Sequence, residues 1–105
     1  MGGFGWISFT TDYGLTDGFV AACQGVIARI APSARVIDVT HQVPAGDVRR
    51  GAALLAQTLP HLPSAVHLAV VDPGVGTERR AVALTTPGGV LVGPDNGLLP
   101  WAAEA

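Results

Sequence analysis

The segment from Val70 to Arg80, VVDPGVGTERR, follows an apolar run with the character of a buried strand and turns through proline and glycine, with an acid and two arginines behind. It sets a carboxylate, that of Asp72, at the end of a strand. In open α/β sheets the crevice beyond the carboxyl ends of the strands is where ligands bind, so the position of Asp72 is as informative as its identity. Three further aspartates, Asp12, Asp38 and Asp95, stand at or just after the end of a predicted strand, and most of these acids open turns rich in glycine or proline.

The remaining pattern builds an alternating chain around those ends. Trp6 to Thr11 reads as a buried strand that gives way to the polar turn Asp12, Tyr13, Gly14. A helix is expected from near Thr16 or Asp17, either of which can cap it, with Phe19, Val20, Cys23, Val26, Ile27 and Ile30 at helical spacing and Pro32 as its stop. Arg35 to Val39 is a short β-branched strand. Asp47 caps a second helix whose inner face is Val48, Ala52, Leu55 and Leu59 and which Pro60 ends. Val66 to Val71 is the third strand, and Ala81 to Thr86 with Val90 to Val92 form a hairpin around Pro87, Gly88 and Gly89. Leu98 to Ala103 begins a further helix. The order β-α-β-α-β-β-β predicts an α/β fold, a mostly parallel Rossmann-like sheet flanked by helices, with the first three strands parallel.

Composition narrows the setting. With 105 residues the chain supplies one modest core and no second domain. Hydrophobic residues make up 49% and charged residues 13%, which excludes disorder and fits strands covered on both faces. All six basic residues are arginines, scattered without aromatic interleaving, and the net charge is −2, so no nucleic-acid surface is expected. Cys23 is the sole cysteine. That rules out an intrachain disulfide and a thiolate-rich metal site, and points to a reducing, cytoplasmic setting. The amino-terminal residues read as a first strand rather than a signal peptide, and nothing approaches a membrane span. From the short final helix the sequence is expected to be the front part of a larger protein.

Carboxylates at one sheet edge, with turn amides beside them, form a surface suited to a polyhydroxylated or cationic small molecule, and a ribose diol fits such acceptors. Each acid also has a local reading. Aspartate begins turns and caps helices for its own backbone, and Asp17, Asp38 and Asp47 are the ones best explained that way. Arg79, seven positions after Asp72, can fold back across the glycine turn, where a guanidinium would favour the charged carboxylate, but taken alone it reads as a solvated hairpin residue. Neither GxGxxG nor GxxxxGK[ST] occurs, and a strand rather than a helix follows the GVG turn, so no triphosphate site is expected. Among the histidines, His61 reads as a loop residue and His67 as a core or edge residue. His41, beside Thr40 at a strand end, is the one placed to approach the site.

Four blocks, FTTDYGLTDGFVAACQGVI, VIDVTHQVPAGDVRRGAALL, VHLAVVDPGVGTERRAVAL and VGPDNGLL, together resemble the S-adenosyl-L-methionine (SAM) hydroxide adenosyltransferases, the SAM hydrolases related to the SAM-dependent fluorinase and chlorinase. The resemblance runs through nearly the whole chain in order. It implies attack by water or hydroxide at the 5′ carbon of the SAM ribose, with methionine leaving and adenosine formed. Asp72 and Arg79 are then two members of an Asp-Arg-His group that activates the water, and Asp12 is the acceptor for the ribose hydroxyls. Pro73 and Val75 would line the pocket around the reacting carbon, and Asn96 would help shape it. Halide-using relatives carry a tyrosine in place of Asp72, which argues for the water-using branch because a carboxylate there would repel a halide.

The resemblance also implies what lies elsewhere. The third catalytic residue, a histidine, falls beyond residue 105, as does a smaller C-terminal β-barrel domain. Residues 1–105 are then an incomplete N-terminal domain. No cofactor or metal is expected, since SAM is itself the substrate, and the full-length protein is expected to be a homotrimer with each site between neighbouring subunits. A non-catalytic adenosine- or SAM-binding module is the alternative, and an α/β fragment whose acids only form turns is a third.

Overall fold

The computed structural model describes residues 4–73 and 80–104. Its elements are β1 (Trp6–Thr11), α1 (Phe19–Ile30), β2 (Arg35–Thr40), α2 (Val48–Thr58) continued by a 3-10 turn (Leu59–His61), β3 (Ala65–Val70), β4 (Ala81–Thr86), β5 (Gly89–Pro94) and α3 (Leu98–Glu104). The described strands form one sheet in the order β2-β1-β3-β5-β4. β1 pairs parallel with both β2 and β3, and β3 pairs parallel with β5. Only the β4–β5 hairpin is antiparallel, as a connection this short requires. The mostly parallel α/β sheet is therefore as the residue pattern predicts.

The two faces of the sheet differ. On one, α2 and α3 bury Ala52, Leu55, Leu98, Leu99 and Ala102 against Ala69, Val71 and Leu91. Asp47 starts α2 as expected, its Oδ1 accepting from the Arg50 N–H at 3.1 Å. His67 sits in the same layer. Its Nδ1 lies 2.7 Å from Ser8 Oγ and its Nε2 3.1 Å from the Gly88 carbonyl oxygen, so Nε2–H donates to Gly88 and the serine hydroxyl donates to Nδ1. One imidazole thereby ties β1 and β3 to the hairpin turn. That turn needs a glycine: Gly89 has φ +127°, and a Cβ there would stand 1.9 Å from the Ala65 carbonyl oxygen.

The other face carries Phe9, Asp38, Leu68, Val70 and Val92 and is only partly covered. α1 lies on it, since Gln24 Nε2 reaches both oxygens of Asp38 at 2.7 and 2.8 Å and Phe19 stacks edge-on against Tyr13. The helix begins at Phe19, later than the capping residues implied. Asp17 still satisfies an amino-terminal amide by accepting from the Phe19 N–H at 3.0 Å. The apolar residues of α1 keep their helical spacing, but of them Val20 is buried while Phe19, Val26 and Ile30 are exposed, Ile30 to 79%. The apolar stripe is wider than the part of the sheet that α1 meets.

Candidate active site

The site is built where three strands end. Paired register places Thr11 opposite Val70, so Asp12 and Val71, the next residue on each strand, leave the sheet side by side. The β1–β2 register slips between Phe9 and Thr10, which pair with Asp38 and Thr40, leaving Val39 as an extra residue in β2. Such a bulge bends the strand and re-aims the residues beyond it, here His41.

Asp12 is held from the β2 side. Its Oδ2 accepts from the Gly46 N–H at 2.7 Å, and the Gly14 N–H donates to the His41 carbonyl oxygen at 2.7 Å. Gly46 has φ +72°, and a Cβ on it would stand 3.0 Å from Pro73 Cβ. One glycine thus binds the Asp12 carboxylate and abuts the residue after Asp72, which brings the acids of β1 and β3 to one edge. Asp72 itself is buried, with 9% exposure. A groove of about 390 Å³ opens beside it, lined by Tyr13, Leu68, Val70, Val92 and Pro94 among others. Burial above all, then the electrostatic influence of nearby Cys23 and Asp12, raises the Tyr13 phenol above its ordinary pKa of 10.0, so the groove wall keeps its hydroxyl proton.

The other predicted residues divide. Pro73 is exposed at the mouth, against Gly46. Asn96 sits beneath the site: its Nδ2 donates to the Val71 carbonyl oxygen at 2.7 Å and its Oδ1 accepts from the Leu98 N–H at 3.2 Å. Both ends of its amide are committed to backbone, so it fixes the end of β3 and the start of α3. Arg79 and Val75 lie outside the described residues, and so does the expected pairing of Arg79 with Asp72. Of the remaining acids, Asp95 pairs with the exposed Arg80 at 2.7 Å and Asp38 with His41 at 2.6 Å. Asp38 and Asp95 thus have side-chain partners of their own, and Asp12 has the Gly46 amide. Among the described residues no group of three His, Cys, Asp or Glu side chains could hold a metal ion.

His41 lies near the site, as its strand-end position implies, and Thr11 and Gly46, to which the sequence assigns no role, join it there. Thr11 Oγ1 lies 2.8 Å from His41 Nδ1 and accepts from the Tyr13 N–H at 3.1 Å. A glycine directly before a helix-capping aspartate, as in PAGD, was the available signal for a left-handed turn at Gly46.

Residues 7–105 match the family model of the SAM hydroxide adenosyltransferase N-terminal domain. The chain belongs to this family. It is 79% identical over 100 residues to an (R)-S-adenosyl-L-methionine hydrolase of Salinispora arenicola, a match covering 95% of this chain and 38% of that protein. A fluorinase of Actinoplanes sp. is 35% identical over 79 residues, covering 74% of the chain and 26% of the enzyme. Among solved structures, an uncharacterized conserved protein from Thermotoga maritima superposes with a TM-score of 0.84 at 45% identity, covering 93% of this chain and 38% of that one. The chain thus spans about two fifths of the length of the Salinispora hydrolase it matches.

Proposed function

We propose that these residues form the N-terminal part of a SAM hydrolase that converts SAM and water to adenosine and L-methionine. The observation that carries this reading is the convergence of Asp12 and Asp72 at one sheet edge through Gly46, in a chain 79% identical to a protein named as such a hydrolase. A carboxylate that accepts from both ribose hydroxyls would fix the sugar, and Asp12 already stands with one oxygen anchored. Asp72, with Arg79, would orient a water in line with the C5′–S bond and draw off its proton. The new C5′–O bond forms as the C5′–S bond breaks. Its electron pair passes to sulfur, which leaves as neutral methionine thioether without a general acid. Positioning and deprotonation are therefore the protein's main tasks.

SAM is the substrate and no further cofactor enters this scheme. The remaining catalytic histidine and a C-terminal β-barrel domain would come from the rest of the protein, which would assemble as a homotrimer in the cytoplasm. A single cysteine and the absence, among the described residues, of any helix long and apolar enough to cross a membrane fit that setting.

The test incubates SAM with residues 1–105, with the whole protein, and with its Asp72→Ala variant, and quantifies adenosine and methionine by chromatography. Adenosine is expected from the whole protein alone, with turnover falling by about 100-fold or more in Asp72→Ala. Saturable SAM or adenosine binding without adenosine release would instead favour a binding module.

A further inference from the structure

Behind the Asp12 turn runs a chain of hydrogen bonds with a single polarity. A carboxylate can only accept, so at Asp38 Oδ1 the 2.6 Å contact is a donation from His41 Nε2–H. In the neutral imidazole His41 Nδ1 is then the acceptor, and the Thr11 hydroxyl donates to it across 2.8 Å. The hydroxyl oxygen keeps its lone pairs for the Tyr13 N–H. Gln24 closes the far end on both oxygens of Asp38. His41 is 5% exposed, and its ring packs edge-on against Phe9 with centroids 4.9 Å apart, so the imidazole has little freedom to rotate.

These bonds encircle one residue. Thr11 precedes Asp12, the Tyr13 and Gly14 amides come after it, and Gly46 holds its carboxylate from the loop that His41 begins. We propose that Thr11, His41 and Asp38 are positioning residues that hold the Asp12 carboxylate in a single orientation for the ribose hydroxyls. The inference rests on the reading of Asp12 as the ribose acceptor. A side chain held by locked neighbours loses less freedom when substrate binds, and the aim of its remaining acceptor is set beforehand. Asp38, a half-exposed strand residue that a turn-former reading leaves without purpose, becomes the anchor that fixes the His41 tautomer.

Thr11→Val is nearly isosteric and removes both bonds of the hydroxyl; Thr11→Ser restores them. In the whole protein, Thr11→Val is expected to raise KM for SAM about tenfold with kcat little changed, and to lower the preference for adenosine over 2′-deoxyadenosine by a similar factor. Thr11→Ser should recover both. In an Asp12→Ala background, Thr11→Val should cost nothing more, because the group it positions is gone. Amide exchange at Gly46 in the same protein, expected to accelerate in Thr11→Val, reads the carboxylate's hold without any turnover. Unchanged KM, ribose preference and Gly46 exchange, with only a lower melting temperature, would overturn the proposal. If the unmodified protein neither releases adenosine nor binds it, the hydrolase reading falls, and Gly46 exchange alone decides the positioning chain: acceleration sustains it and no change ends it.

Discussion

Asn96 acts on the site without facing it. By donating to the Val71 carbonyl oxygen and accepting from the Leu98 amide, its side chain joins the last residue before Asp72 to the first turn of α3. Asn96→Ala leaves both backbone groups in a half-buried place without their partner, and a loss of about 1–3 kcal/mol in denaturant unfolding is expected, with Asp72 displaced as a secondary effect. The family resemblance implies that Asn96 helps shape the pocket, while PDNG itself gives no sign of which groups its amide will find. Asp12 and Asp72 are legible since a strand end fixes their place. The roles of His41 and Thr11 are not, since they depend on a bulge of one residue in β2 that no local pattern announces. Asp95 and Asp38 share the strand-end signature and prove to pair with Arg80 and His41, contacts made across 15 and 3 positions of the chain.

Among elements, α2 is the one whose every local signal agrees with its environment. Asp47 caps it, Ala52 and Leu55 point into the core, and Gly51 lets it close on the end of β3, where a Cβ would stand 3.1 Å from Val71 Cγ2 and 3.0 Å from Leu98 Cδ1. Asp47→Ala should lower stability by about 1 kcal/mol, measured as a shift in the denaturation midpoint at constant slope. α1 shows where periodicity stops being informative. Its apolar spacing is helical and a helix forms, but spacing cannot say how much of the stripe finds a partner, and Phe19, Val26 and Ile30 remain exposed. The hairpin of β4 and β5 is legible from Pro87, Gly88 and Gly89, and the alternation of buried and half-buried residues along β5 reflects its place inside the sheet.

For the molecule as a whole, the asymmetry of the sheet governs behaviour. Parallel strands are ordinarily covered on both sides, yet Leu68, Val70 and Val92 border an open groove, and Ala81 and Ala83 on the adjoining β4 are exposed. Residues 1–105 alone should therefore self-associate through this face as concentration rises, seen as a concentration-dependent shift in sedimentation velocity, and Val92→Lys should suppress the shift. A monomer at high concentration without that substitution would count against it. The strand order carries a consequence for how the chain is made. β1 leaves the ribosome before β2 and β3, but its place is between them, and the Ser8–His67 bond that joins it to β3 spans 59 residues. At a synthesis rate of roughly 5–20 residues per second, one edge of β1 and the ring of Phe9 beside it wait several seconds for the strand that completes them. During each round of translation, the strand that ends at Asp12 is thus a half-made edge, open to chaperones and to neighbouring nascent chains.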